Sequence, residues 1–101
     1  SNILDPEFST RHGGPRAWTS LRPESIAVGP PGVPPPASRG DRHHAEGVIT
    51  SVQYQGAATR LIVDVEGTGL IVAAPAGVSA TVGERVRLGW RPESLHPLGG
   101  G

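Results

Sequence analysis

From Ala45 to Leu98 the chain alternates apolar and polar residues in short pieces separated by turn residues. A period of two places alternate side chains on opposite faces of a strand, and a helix cannot present it. Leu61, Val63 and Val65 alternate with Arg60, Asp64 and Glu66, broken only at Ile62. Val86, Leu88 and Trp90 alternate with Arg85, Arg87 and Arg91, the cleanest case in the chain. Between Val48 and Tyr54, one face carries Val48, Thr50, Val52 and Tyr54, and the other Ile49, Ser51 and Gln53. Gln55–Ala58 reads as a turn, and Gly67-Thr68-Gly69 supplies the left-handed positions of a tight hairpin. Leu70 to Ala74 returns until Pro75 stops it, and small residues from Ala76 to Gly83 form a connection. No segment carries a helical stripe. The expectation is an all-β domain, a small OB-like β-barrel of five to six strands without substantial helix.

Length and composition narrow the function. At 101 residues there is room for one small domain. About ten buried aliphatic side chains at roughly 1.5–3 kcal/mol each make a core feasible but marginal. Nine arginines balance nine acidic residues, lysine is absent, and the formal charge is zero. No basic field therefore announces a nucleic acid or an anionic membrane. Without cysteine there are no disulfides and no thiolate metal sites. No run approaches the roughly 18 apolar residues of a membrane span, and no segment reads as a signal peptide, so a cytoplasmic setting is expected.

Four segments follow. Residues 1–15 hold the sole Asn and Phe, Asn2 and Phe8, around an Asp-Pro-Glu-Phe string that adjacent restriction sites would encode. They read as a cloning scar or disordered arm, with a native ordered arm as the alternative. Residues 16–28 suit one or two short strands of the barrel region. Residues 29–44 form a connector whose Pro30, Pro31 and Pro34 to Pro36 favour extended geometry. Residues 45–98 are the barrel.

The tetrapeptide Arg-Pro-Glu-Ser occurs twice, at Arg22–Ser25 and Arg91–Ser94, each time between a strand-like run and an apolar residue. Proline suits the first position of a helical turn, where its missing N–H would be unpaired, and glutamate suits the positive end of that turn. The ordinary reading is a strand-terminating corner. The two copies also carry a family resemblance, together with Gly47-Val48-Ile49, Tyr54-Gln55-Gly56, Thr59, Gly83-Glu84-Arg85-Val86 and Trp90-Arg91-Pro92-Glu93 in that order. This order resembles the transport-associated OB (TOBE) domain, the accessory barrel behind the ATPase domain of bacterial ATP-binding-cassette importers. The Trp-x-Pro-Glu ending is more similar to the polyamine and iron branch than to the maltose branch.

The resemblance implies a regulatory and assembly domain of an importer ATPase subunit that moves a solute such as polyamine, ferric iron or sugar. Its partners would be its own ATPase domain, a second copy in a homodimer and, indirectly, the membrane subunits, at the cytoplasmic face of the inner membrane. ATP and magnesium would belong to the parent ATPase domain. The chain has no GxxxxGK[ST] loop, and without lysine it cannot supply one, so neither catalysis nor a cofactor is expected here. The motif residues Arg22, Pro23, Glu24, Tyr54, Gly56, Thr59, Gly83, Trp90, Arg91, Pro92 and Glu93 would be architectural, with Tyr54 and Trp90 closing the core. Arg60, Arg85 and Arg87 are candidate interface residues, against the plainer reading of a solvated strand face.

Two other classes remain. A ligand-sensing barrel would use donors such as Thr59, Arg60 and Ser79 for an oxyanion or other small solute. An OB-type nucleic-acid module would need a positive groove and stacking aromatics, and only Trp18, Tyr54 and Trp90 stand outside residues 1–15. Arg39-Gly40-Asp41 reads as chance. His43 and His44 with His12 or His96 lack metal-motif spacing, which leaves no metal site expected.

Overall fold

The computed structural model describes residues 1–30 and 43–98. Its centre is a five-stranded antiparallel sheet in the order β3-β7-β4-β5-β6. These strands are β3 (Ala27–Gly29), β4 (His43–Gln55), β5 (Ala58–Val65), β6 (Thr68–Pro75) and β7 (Arg85–Trp90). A second sheet, in the order β1-β2-β8, joins β1 (Asn2–Leu4), β2 (Thr19–Leu21) and β8 (His96–Pro97).

The long β4 organises the larger sheet. Its first half pairs with β7 and its second half with β5, and the register shifts between Ile49 and Ser51. Such a bulge bends a strand and lets one sheet curl over itself. Across the shift, Ile49 N–H donates to the Glu84 carbonyl at 2.9 Å and Gly83 N–H to the Ile49 carbonyl at 2.8 Å. Gly47 sits at the crossing: a Cβ there would fall on the Asp64 carbonyl oxygen and lie 2.7 Å from Val63 Cγ1. Only glycine fits that approach.

Both hairpins are two-residue turns. Gly56-Ala57 links β4 to β5, with Gly56 at φ +61°. Glu66-Gly67 links β5 to β6, and both residues have positive φ, 54° and 86°, as a type I′ turn requires. The turn therefore lies one residue earlier than Gly67-Thr68-Gly69 suggests.

The inward faces of both sheets make one core, with Leu21, Leu61, Val63, Leu88 and Trp90 fully buried. The fold is mostly β and OB-like, but the larger sheet is curled and half-open. It is not the closed barrel expected, because edge strands β3 and β6 do not pair. Asn2 lies against the free edge of β6. Asn2 donates from Nδ2 to the Ile71 carbonyl at 2.9 Å and accepts from Ile71 N–H at 2.6 Å on Oδ1. A side-chain amide thus satisfies one residue of an edge that a closing strand would have satisfied.

Residues 1–15 are accordingly neither outside the fold nor a disordered arm. After β1, a short helix α1 (Pro6–Arg11) starts on Asp5, whose carboxylate accepts from Phe8 N–H at 2.7 Å, with Pro6 opening the first turn. Leu4, Phe8 and Ser9 are buried. Of the proline-rich connector, Gly29 ends β3 and His43 opens β4, so β4 begins before Ala45. Pro31 to Arg42, including Arg39-Gly40-Asp41, lie outside the described residues.

Candidate functional site

At one end of the core, α1, the start of β4 and the β5–β6 turn converge on His12. His12 Nε2 lies 3.0 Å from Glu66 Oε1, and its Nδ1 lies 2.8 Å from His43 Nε2. Trp90 Nε1–H donates to the His12 carbonyl at 3.3 Å, and the Phe8 and His43 rings pack at 4.3 and 4.9 Å from the His12 ring. Arg11 meets the same Glu66 oxygen at 3.2 Å. The left-handed turn conformation aims Glu66 at this cluster.

Burial, above all, holds the His43 pKa below its ordinary 6.5, with the neighbouring His12 and His44 adding to the effect and Glu66 opposing it. Glu66 is held below the usual carboxylate value chiefly by its hydrogen bond from His12. Among the described residues no group of three or more His, Asp or Glu could hold a metal ion. Both His12 nitrogens are engaged, so the arrangement ties the three segments together.

The two Arg-Pro-Glu-Ser copies form matching single 3-10 turns, Pro23–Ser25 and Pro92–Ser94. Ser25 N–H reaches the Arg22 carbonyl at 3.0 Å, and Ser94 N–H the Arg91 carbonyl at 2.9 Å. Each turn then drives an apolar residue, Ile26 or Leu95, into the core. Glu24 and Glu93 are exposed, and among the described residues neither Arg22 nor Arg91 is ion-paired.

Trp90 and Thr59 are buried, whereas Tyr54 is 70 % exposed. The expectation that Tyr54 closes the core is therefore corrected. Ala45, Gly47 and Ile49 are the buried positions of β4, so Ile49 and not Val48 faces the core; after the bulge the phase changes and Val52 packs against the core. Beyond it, Tyr54 sits near the hairpin tip. Gly56 and Gly83 are exposed left-handed turn residues. Arg60, Arg85 and Arg87 share the outer face of the larger sheet but are split between β5 and β7. Arg85 lies 3.5 Å from Glu46, and Arg87 is half-buried.

A cleft of about 220 Å³ opens beside the unpaired edge of β3, walled by Val28, Ile49, Leu61 and Val86 and by the Val78–Glu84 loop. Ser79 lines it, but Thr59 is buried in β5 and Arg60 faces the other way. The proposed oxyanion donors therefore do not converge. The charged group at the cleft is Glu84, of the wrong sign for an oxyanion.

The smaller sheet presents a different surface. Asn2, Leu4, Thr19 and Leu21 face the core, so alternation turns Ile3, Trp18 and Ser20 outward. Leu98 N–H donates to the Trp18 carbonyl at 2.8 Å, which sets Leu98 beside Trp18. Ile3, Trp18 and Leu98 are 53 %, 55 % and 43 % exposed, three large apolar residues on one small sheet.

A family model for the TOBE domain matches residues 19–98, from the first residue of β2 to the end of the described chain. The chain belongs to the TOBE domain family. It is also 30 % identical over 105 residues to a protein of Escherichia coli (strain K12) named as an uncharacterized ABC transporter ATP-binding protein, YdcT. That alignment covers 97 % of this chain, so it runs through most of residues 1–15, and it spans 28 % of the relative's length. Family membership makes this a non-catalytic accessory domain. No helix among the described residues is long and apolar enough to cross a membrane.

Sequence reasoning missed the roles of Asn2, His12 and Glu66 in this TOBE domain. The first two lay in the segment set aside, and Glu66 read as the polar position of a strand. One signal was available: Asp5-Pro6-Glu7 followed by Arg11 is a helix start and stop, with cap, proline and charges in the right order.

Proposed function

We propose that this TOBE domain is a regulatory and assembly domain of an ATP-binding-cassette importer ATPase subunit, and that it holds two such subunits together through the outer face of its smaller sheet. Family membership supports the transporter setting, as does the E. coli relative, which is named as an ABC transporter ATP-binding protein. ATP and magnesium would be bound by the ATPase domain of the parent polypeptide. The Trp90-Arg91-Pro92-Glu93 ending favours polyamine or ferric iron over sugar as the solute. The domain would work on the cytoplasmic side, touching the membrane only through the transporter.

The observation that carries the docking role is the exposed trio Ile3, Trp18 and Leu98. Its occupant is a second copy of the chain. Strands β1 and β8 are open edges flanking the patch, and a formal charge of zero lets two copies approach without net repulsion. Light scattering across a concentration series tests this. Dimerisation that Trp18→Ser weakens at least about tenfold, the loss of roughly 1.4 kcal/mol at a buried aromatic anchor, supports the reading. A monomer at every concentration, or a dimer indifferent to Trp18→Ser, overturns it.

A further inference from the structure

We propose that Glu66, His12 and His43 form a proton-operated latch that fastens the N-terminal segment, β1 and α1, to the β-structure and releases it on acidification. The proposal does not rest on the transporter reading: its contacts involve none of Ile3, Trp18 and Leu98, although the β1 it fastens carries Ile3.

The chain of contacts fixes where the protons are. A carboxylate only accepts, so the 3.0 Å contact to Glu66 places a proton on His12 Nε2. In a neutral His12 the other nitrogen, Nδ1, then carries a lone pair. The 2.8 Å contact therefore needs the proton on His43 Nε2, which donates. One further proton can be held by the pair: whichever ring becomes the cation donates across the same contact, beside the Glu66 carboxylate. A second proton cannot, because two N–H groups would then face each other at 2.8 Å. The latch closes with zero or one added proton and breaks with two.

The charged and titratable groups around His12 come from every element packed on it. Arg11 stands beside it on α1 and touches Glu66. His43 and His44 belong to β4, and Glu66 to the β5–β6 turn. From β7 the neighbour is Trp90, which does not titrate. A partly buried cluster with three imidazoles and one arginine against one carboxylate resists further positive charge. Burial and the adjacent histidines keep His43 neutral in the closed form to a lower pH than in the open form. The open form consequently binds the extra proton first.

Opening also undoes what His12 supports. Its carbonyl accepts the Trp90 indole N–H, and its ring packs between Phe8 and His43. The strands of the larger sheet have their own ladders and need not follow.

Amide hydrogen exchange of the whole chain from about pH 7.5 to about pH 5, corrected for the intrinsic rate, reads the latch directly. One additional proton on the open form raises its population about tenfold per pH unit below the free histidine value. The expected result is such a rise in residues 2–12 while β5 and its partners in the larger sheet stay constant. His43→Gln puts there an amide that donates to His12 Nδ1 or, turned over, accepts from it, and takes up no proton itself, so the two-proton clash is removed and exchange in residues 2–12 should be flat with pH. A flat wild-type profile, an equal rise in every strand, or an unchanged rise in His43→Gln overturns the latch. If His43→Gln does not fold, the wild-type comparison between residues 2–12 and the larger sheet decides alone.

Discussion

Single residues in this domain hold the places where regular pairing stops. Asn2 meets both backbone groups of Ile71 and the Leu21 carbonyl. Replacing it with alanine strands a buried N–H and two carbonyls, so Asn2→Ala should lower stability by about 1–3 kcal/mol in denaturant titration. Gly47→Ala should cost a similar amount, about 1–3 kcal/mol, because its Cβ collides with backbone that has no room to shift. Tyr54→Ser is the contrast. An exposed aromatic near a hairpin tip should leave stability within about 0.5 kcal/mol of wild type, whereas a core role would predict a large loss. The alternation around Val86, Leu88 and Trp90 was legible because both faces of β7 run unbroken. Tyr54 was not, since alternation shows which residues share a face but not where along a strand the core ends: Val52 packs against the core, and Tyr54, in the same phase, lies beyond it.

At the scale of elements, sequence and structure diverge most at the N-terminus. The Asp5-Pro6-Glu7 string has a cloning explanation and a physical one, and the chain uses the physical one. Asp5→Ala should cost about 0.5–2 kcal/mol by removing the cap of α1. The strands and the turns between them were readable from alternation and glycine. Where the hairpin places its left-handed pair was not, because the register pairs Val65 with Thr68 and so puts Glu66, a residue that rarely takes φ 54°, at the first turn position. The pH response belongs at this scale too. His43 has a folded pKa below its ordinary 6.5, so the unfolded chain binds the proton first. Its contribution is complete above about pH 6.5 and is lost as pH falls toward the folded value. Glu66, also lowered, adds a second loss as pH falls below its ordinary 4.5. Thermal unfolding should therefore show a declining midpoint in two stages on acidification.

The whole molecule is an OB-like sheet that stops short of closure, with its N-terminal segment bonded to the free edge of β6 through Asn2. Without disulfides, and with a core this small, the buried Leu4 and Phe8 of that segment add to the core, while the larger sheet keeps its own ladders. The same segment contributes Ile3 to the outward apolar face, so the piece that adds to the core also helps build the docking surface. The measurement that tests this most directly is the amide exchange of Ile71 at neutral pH, in the wild type and in Asn2→Ala. Ile71 N–H points out of an edge strand toward Asn2 Oδ1 at 2.6 Å. The account predicts slow exchange in the wild type, opening only with larger unfolding, and fast edge-like exchange in Asn2→Ala. Fast exchange in the wild type would contradict it, and the edge of β6 would then be open.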